Sequence, residues 1–274
     1  NLPIHIAAGN QAPAEVSLKL LELCRESARE KLNEGWLPIH IAARHEAPAE
    51  VSLKLLELYP ESARRKDNDG NLPIHIAAGN QAPAEVSLKL LELYRESMRE
   101  KLNDGWLPIH IAAGNQAPAE VSLKLLELYP ESAREKLNDG WLPIHFAARH
   151  EAPAEVSLKL LELYPESARK KTNNGNLPIH IAAGNQAPAE VSLKLLELYR
   201  ESVREKTNNG NLPIHIAARY EALAEVSLEL LELYPESVRE KTNDGWLPIH
   251  FAARYEAPTE VSLKLLELYP ESLF

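Results

Sequence analysis

Five residues that could do chemistry lie close together in the stretch WLPIHFAARHE. His145 and His150 are five residues apart, with Arg149 and Glu151 on either side of the second histidine and Trp141 shortly before the first. Two imidazoles could hold a transition metal, and an imidazole beside a carboxylate could act as a general base. Whether either chemistry is possible depends on the elements that position these side chains.

The stretch belongs to a repeat that occurs eight times, always at a spacing of 35 residues and without insertion or deletion. The copies are residues 1–35, 36–70, 71–105, 106–140, 141–175, 176–210, 211–245 and 246–274, the last of which is incomplete. A period between 20 and 50 residues is typical of stacked repeat arrays. We therefore predict one continuous array over residues 1–274.

The composition narrows the possible partners. The formal charge is −10, and the lysines and arginines are mixed with acidic residues in every copy, which argues against binding to nucleic acid. No apolar run is long enough to span a membrane, and no secretory leader is visible. Cys24 is the only cysteine, which excludes an intramolecular disulfide and a cysteine-based metal site.

From this composition we expect no cofactor and no metal, nucleic-acid or membrane partner. We also expect a reducing, cytoplasmic setting. The sequence opens without Met and both of its ends fall inside a copy, which is compatible with a segment of a longer chain.

Each copy contains two patterns that predict helices. In the fifth copy, Pro143 fits the first turn of a short helix whose small alanines permit close packing. Pro153 is expected to open a second helix in the same way. That helix runs roughly to Tyr164, with apolar residues around most of its circumference, as in a helix with several neighbours. Glu155 and Lys159 are expected to pair on its remaining face.

The segment after the second helix predicts a break and a turn. Pro165 would disrupt a continuing helix, and PESARKK can form a further short turn. Where Arg25, Arg95 or Arg200 replaces that proline, we expect the second helix to continue. Gly175 closes the copy at a position that favours positive φ. The result is an all-α helix-turn-helix repeat, in which stability must come from faces buried between neighbouring copies.

The segment GWLPIHIAA, at residues 35–43 and 105–113, resembles the ankyrin repeat, whose hallmark is Gly-x-Thr-Pro-Leu-His-x-Ala-Ala. The second-helix segment AEVSLKLLEL is similar to the Glu-Val-Val-x-Leu-Leu-Leu stretch of that family, and the resemblance covers all eight copies. It implies an ankyrin-like solenoid whose turn tips and first-helix surfaces line a concave, partner-binding face. It also implies that the histidine of each copy makes turn-stabilising hydrogen bonds.

The copies also depart from the family pattern. The threonine before proline is leucine in every copy, for example Leu142, which removes a cap worth about 1 kcal/mol unless another group caps the helix. The family's glycines between the helices and after the second helix are missing. The sequence therefore leaves open whether the β-hairpin of the family forms.

One histidine per copy forms a ladder: His5, His40, His75, His110, His145, His180, His215 and His250. Stacked helices lie about 8–10 Å apart, which is too far for successive rings to share one metal ion, so we interpret the ladder as structural. His145 and His150 diverge by about 140° on a helix, whereas zinc-binding helices place two histidines four residues apart. No nucleophile motif accompanies them, and we expect no enzymatic activity.

The copies differ most at the end of the first helix and at the turn before it. Gly-Asn-Gln alternates with Arg-His-Glu or Arg-Tyr-Glu, and Trp alternates with Asn at the turn. Because Arg always occurs with Glu, we expect the two to pair, either within the copy or with a neighbouring copy. Trp and Arg are frequent interface anchors. The candidate partner-binding residues are Trp36, Arg44, His45, Glu46, Trp106, Trp141, Arg149, His150, Glu151, Arg219, Tyr220, Glu221, Trp246, Arg254, Tyr255 and Glu256.

These patterns predict a non-enzymatic interaction scaffold that binds a protein partner through the turn tips and the first-helix face. In an alternative interpretation of the same residues, Trp covers the adjacent copy and Arg and Glu form a solvated pair. The alternative function is a structural array, such as a filament, spring or spacer segment. It would associate head to tail, because the first copy has the apolar residues of internal copies and the last ends in Leu273 and Phe274. Copies this uniform are also compatible with recent duplication or with an engineered, consensus-like design.

Overall fold

The computed structural model describes residues 2–10, 12–32, 34–220 and 222–273, and these residues contain helices and turns but no β-strand. The first helices of the copies are α1 (Pro3–Gly9), α3 (Pro38–Arg44), α5 (Pro73–Gly79), α7 (Pro108–Gly114), α9 (Pro143–Arg149), α11 (Pro178–Gly184), α13 (Pro213–Arg219) and α15 (Pro248–Arg254). The second helices are α2 (Ala14–Leu23), α4 (Ala49–Leu58), α6 (Ala84–Leu93), α8 (Ala119–Leu128), α10 (Ala154–Leu163), α12 (Ala189–Leu198), α14 (Ala224–Leu233) and α16 (Thr259–Leu268).

A 3₁₀-helix follows each second helix. These segments are η1 (Arg25–Arg29), η2 (Pro60–Arg64), η3 (Arg95–Arg99), η4 (Pro130–Arg134), η5 (Pro165–Arg169), η6 (Arg200–Arg204), η7 (Pro235–Arg239) and η8 (Pro270–Leu273). The predicted short turn after the second helix is therefore a regular element of every copy.

The chain divides into two compact units, residues 1–132 and 133–274. In the first unit, α1, α3, α5 and α7 contact one another in order, and α2, α4, α6 and α8 form a second row. In the second unit, α9, α11, α13 and α15 form one row and α10, α12, α14 and α16 the other. Each unit is a stacked helical repeat array, which confirms the predicted all-α repeat fold. That the two units form one continuous array remains a prediction.

Proline begins the two helices of a copy in different ways. Pro143 is the first residue of α9, as predicted, because a residue at that position needs no N–H bond. Pro153 does not occupy the same position in α10, and this prediction is wrong by one residue. Pro153 precedes the helix with φ −47° and ψ 134°, and its carbonyl oxygen accepts the first helical bond, from Val156 N–H at 2.9 Å.

The prediction that the second helix continues where Arg25, Arg95 or Arg200 replaces proline is wrong. α6 ends and η3 begins at Arg95, just as in the copies that have proline. Tyr94 leaves the helical region at φ −142° and ψ 82°, and the buried Ser97 hydroxyl donates a 2.6 Å bond to the Tyr94 carbonyl oxygen. The helix therefore ends because the following 3₁₀ segment packs inward, whichever residue stands at the proline position.

The surface ion pair predicted for α10 also differs. Lys159 Nζ lies 2.7 Å from Glu162 Oε1 and pairs one turn towards the C-terminus instead of with Glu155. Both spacings place side chains next to each other on a helix, so the pattern alone did not select between them. The two side chains are exposed, so the pair contributes little to stability.

Turns of neighbouring copies are hydrogen-bonded to one another within each unit. In the second unit, the backbone N–H of Asn208 donates to the carbonyl oxygen of Asn174 at 3.2 Å. The side-chain amide of Asn208 donates to the backbone carbonyl oxygen of Asn173 at 2.9 Å. Gly175 has φ 77°, as predicted, and a Cβ there would lie 2.5 Å from Asn208 Oδ1. The β-hairpin that the sequence left open is not found among the described residues, which have a short turn linked by asparagine to the preceding copy.

A second set of links joins each 3₁₀-helix to the next copy. The Arg169 guanidinium carbon lies 5.0 Å from the ring centroid of Tyr199. The Tyr199 hydroxyl donates to Glu205 at 3.0 Å, and Glu205 forms a 2.8 Å ion pair with Lys171. The Arg–Tyr pair recurs at Arg29–Tyr59, Arg64–Tyr94, Arg99–Tyr129, Arg134–Tyr164, Arg204–Tyr234 and Arg239–Tyr269. Each pair contributes roughly 0.5–1 kcal/mol at an exposed site and couples successive copies.

Candidate functional site

The histidine ladder is a set of bridges between backbone segments. In the fifth copy, Leu142 N–H donates to His145 Nδ1 at 3.0 Å, and His145 Nε2 donates to the Lys170 carbonyl oxygen at 3.0 Å. An amide only donates and a carbonyl oxygen only accepts, so the ring is the neutral tautomer with its proton on Nε2. The same two bonds are made by His5, His40, His75, His180 and His215.

These bonds leave no ring nitrogen of the bridging histidines available for a metal or a transferred proton, which supports the structural interpretation. The Leu142 N–H bond also satisfies a backbone donor at the start of α9, so histidine supplies part of the capping that the missing threonine would give. Burial lowers the pKa of five ladder residues to about 4, although their backbone bonds partly oppose it. These residues are His40, His75, His145, His180 and His215.

Three of the four candidate tryptophans lie beneath an arginine of their own copy. The guanidinium carbon of Arg149 lies 5.4 Å from the ring centroid of Trp141, and the corresponding distance from Arg44 to Trp36 is 5.1 Å. Trp246 lies under Arg254 in the same way, at 5.3 Å. All four indoles are half-buried and lie 5.8–6.2 Å from the ladder histidine of their copy. Each indole therefore packs on its own first helix, and the arginine above it is exposed.

In the last two copies the stacking extends from one copy to the next. Arg219 lies 5.2 Å from the ring of Tyr220 and 5.4 Å from that of Tyr255. Arg254 lies 5.5 Å from Tyr255 and 5.3 Å from Trp246. Two guanidinium groups thus alternate with three aromatic rings across the surface of these copies.

The expected pairing of Arg with Glu is wrong wherever both residues are described. No ion pair joins the two: Arg149 stacks on Trp141, and Glu151 lies in the loop that follows with φ 52°. Glu151 therefore has a left-handed backbone in the loop between α9 and α10. The same conformation is found at Glu46, Gln81, Gln116, Gln186 and Glu256. Glu221 lies outside the described residues.

His145 and His150 do not form a site together. His145 is buried in the ladder, whereas His150 follows the last residue of α9 and is half-buried. Burial and the neighbouring Arg149 lower the pKa of His150. His45, its counterpart in the second copy, is exposed. Across the described ranges, no group of three or more His, Cys, Asp or Glu side chains could hold a metal ion.

A groove of about 410 Å³ opens in the second unit on its tip surface, by which we mean the turn tips, such as residues 172–176, together with the exposed side of the first helices. Trp141 and Arg149 line the groove from the fifth copy, and Arg219 and Tyr220 line it from the seventh. We call it the tip groove. The structure thus brings four of the candidate residues to one cavity, across a span of three copies.

The sixth copy lies between these two sides and leaves the space open. It has Asn176 where the fifth copy has tryptophan, and Gly184 where the fifth copy has arginine. Both changes remove bulk from the same part of the surface. The alternation between Trp and Asn and between Arg and Gly therefore determines where the groove lies.

Five asparagines line the tip groove, and the sequence reasoning missed all of them: Asn174, Asn176, Asn185, Asn209 and Asn211. The Asn185 amide donates to the Ile181 carbonyl oxygen at 2.8 Å. The other four side-chain amides form no hydrogen bond with the part of the chain that the structure describes. Among the described residues, no carboxylate lines the groove. The Trp–Asn alternation was visible in the sequence, but only the tryptophans were taken as candidates.

These features define a class of protein, a helical tandem-repeat protein with a polar and aromatic groove on one surface. Within the described residues, no helix has the length and apolar character needed to cross a membrane. Comparison with protein-family models gives no match, and comparison with curated proteins finds no relative.

Proposed function

We propose that the chain is a non-enzymatic, ankyrin-like scaffold that binds a protein partner through its tip surface. The tip groove is the observation that supports this proposal. Guanidinium, aromatic and amide groups line it together, and four of its five asparagine side-chain amides form no hydrogen bond with described residues. Arg, Trp and Tyr are enriched among the residues that dominate binding energies. A volume of about 410 Å³ also lies in the range of pockets that bind ligands.

The two units differ in how well they support this role. The tip surface of the first unit has a smaller depression of about 320 Å³ around Gln81 and Asn115. Its Trp36 and Arg44 stack on each other but do not line that depression. We therefore place the main contact with the partner in the second unit.

The test uses a variant built from residues that other copies already have at the same positions. Trp141→Asn combined with Arg219→Gly changes both sides of the tip groove, and Trp36→Asn combined with Arg44→Gly is the matched control in the first unit. A partner captured and cross-linked by the unaltered chain should bind the groove variant at least about 30-fold more weakly, because each hot-spot residue contributes about 2 kcal/mol or more. Its affinity for the control should be unchanged.

Thermal unfolding of both variants would show whether the fold tolerates the changes. Equal affinities of the partner for the unaltered chain and the groove variant would contradict a binding role for the groove. A large fall in the melting temperature of Trp141→Asn alone would show that Trp141 acts mainly in packing.

A second candidate function, self-association of arrays, is favoured by one observation. Ile6 and Val16 in the first copy are 52% and 49% exposed, whereas Ile41 and Val51 at the same positions of the second copy are 7% and 0% exposed. A further repeat of this sequence, in the same chain or in a second molecule, would cover this face. Leu263 in the eighth copy is 60% exposed. The side chains of Leu273 and Phe274 lie outside the described residues.

Sedimentation of this 274-residue chain would test self-association. We expect the mean mass to rise with concentration and the rise to disappear in Ile6→Lys, because the charge would have to be buried in the contact. Tyr220→Ser, which changes an exposed residue far from that face in sequence, is the control. A monomer at all concentrations would leave only the scaffold function.

A further inference from the structure

We propose that the tip groove binds an extended, acidic segment of the partner, with two carboxylates about six residues apart that pair with Arg149 and Arg219. This inference rests on the proposed function and specifies the chemistry of the partner. Its basis is the charge of the groove, the spacing of the two arginines and the state of the asparagines between them.

The groove is locally basic on an acidic chain. The formal charge of the whole chain is −10, yet the described residues that line this cavity contribute two guanidinium groups and no carboxylate. Arg149 lies over Trp141, and Arg219 lies between two tyrosine rings. Stacking covers the face of a guanidinium group and leaves its N–H edge exposed, and that edge matches the two oxygens of a carboxylate.

The spacing of the arginines favours an extended segment. Arg149 and Arg219 occupy the same position two copies apart. Stacked helices are about 8–10 Å apart, so the two groups are separated by roughly 16–20 Å. An extended chain rises about 3.3 Å per residue and covers that distance in about five or six residues. A helix rises 1.5 Å per residue and would need about twelve.

The asparagines between the arginines also favour extended backbone. Asn176 and Asn211 are half-buried, and their side-chain amides form no hydrogen bond with described residues. Each amide offers both a donor and an acceptor, which matches the free N–H and C=O groups of an extended peptide. In a helical peptide, the backbone N–H and C=O groups are already hydrogen-bonded to each other.

Other arginines on the tip surface lack this combination. In the first unit, Arg44 has glycine at the same position in both following copies, so no second guanidinium lies two copies away. In the second unit, Arg254 lines a cavity of about 400 Å³ that adjoins the tip groove, since Arg219, Asn209 and Asn211 line both, and this cavity also contains the carboxylate of Asp244. An acidic ligand is therefore expected along the path from Arg149 to Arg219 and not at Arg44 or Arg254.

The experiment is a selection of random twelve-residue peptides displayed on phage against the full 274-residue chain. We expect enrichment of peptides with net negative charge and with two acidic residues five to seven positions apart. A fluorescent copy of an enriched peptide should bind Arg149→Gly and Arg219→Gly at least about tenfold more weakly, since a hydrogen-bonded charge pair is lost in each. Arg44→Gly, the same change in the first unit, should bind as the unaltered chain does.

A second measurement assigns the pairing. Replacing one acidic residue of the peptide by its amide should weaken binding to the unaltered chain, and it should have little further effect on the variant that lacks the matching arginine. Binding should also weaken as salt is added, because the contacts are exposed charge pairs.

The outcomes separate this inference from the proposed function. Enriched peptides that are neutral or basic, but lose affinity for Trp141→Asn, would overturn the acidic specificity and leave the scaffold function standing. Acidic peptides that bind both arginine variants unchanged would overturn the assignment of the arginines. Failure to enrich any peptide, or tighter binding of a single-stranded oligonucleotide, would overturn the inference, while the cross-linked partner described above would still test the scaffold function.

Discussion

Acidification is expected to destabilise the fold through its histidine ladder. Five ladder residues have a pKa of about 4 in the folded chain, whereas a histidine in an unfolded chain has a pKa of about 6.5. Between these two values the unfolded chain binds protons that the folded chain excludes. The free energy of unfolding is therefore highest above about pH 6.5 and falls as the pH decreases towards 4.

The size of the effect follows from the same two values. A histidine whose pKa falls from about 6.5 to about 4 costs on the order of 3 kcal/mol of stability as the pH decreases through that range. Five such costs are comparable with the whole stability of a domain, about 5–15 kcal/mol. The structural cause is direct, because a second proton on His145 Nδ1 would point at the Leu142 N–H that already donates to it. We therefore expect unfolding before pH 4 is reached.

The measurement is urea unfolding followed by far-UV circular dichroism at several pH values between 7.5 and 4.5. Each histidine that titrates only in the unfolded chain contributes a slope of about 1.4 kcal/mol per pH unit near pH 5. His180→Gln keeps a donor and an acceptor at that position and should reduce the slope by this amount. Stability that stays constant from pH 7 to pH 5, or ladder resonances that titrate near pH 6.5 in NMR spectra, would refute the reasoning.

Three further predictions concern single positions. Gln186→Gly is expected to raise the free energy of unfolding by about 1 kcal/mol, since residue 186 has φ 54° and glycine adopts this conformation without strain. A lower free energy of unfolding, measured by urea denaturation, would argue against a left-handed loop. Lys170→Glu is expected to stabilise the fold by up to about 1 kcal/mol, because it would supply Lys136 with the counterpart of the Lys171–Glu205 and Lys206–Glu240 ion pairs; an unchanged melting temperature in low salt would contradict this. A double-mutant cycle on Arg169 and Tyr199 should give a coupling of about 0.5–1 kcal/mol, and zero coupling would mean that the stacking is absent in solution.

The period of 35 residues, together with the two helix patterns in each copy, was sufficient to predict the fold class, because short helices need neighbours to cover their apolar faces. The ends of the helices were harder to predict. Arg95 has a good helical propensity, and local reasoning extended α6 through it. The helix stops there because Ser97 is buried against the body of the repeat, and that contact is not encoded in the propensity of any single residue.

The candidate surface was partly predictable for a similar reason. Trp141 and Arg149 were identified because they differ between copies, and the structure does place them on one side of a groove. Their mutual contact was missed, although an arginine eight residues after tryptophan occurs in three copies. Asn176 was missed because it matters by being smaller than the tryptophan at the same position of the fifth copy, which leaves space for the groove. A cavity depends on what neighbouring copies leave empty, which no single copy specifies.

The distance between two arginines is set by the number of copies between them, because the links between copies are regular. Each link joins equivalent positions of adjacent copies. If residues 176–210 were removed as a whole, the arginines and tip asparagines on either side of the deletion would therefore still find a tyrosine ring and a carbonyl oxygen in the adjacent copy. Arg149 and Arg219 would then be one copy apart instead of two. Gain or loss of a whole copy would thus change the length of ligand that can contact both arginines, while the repeat architecture stays intact.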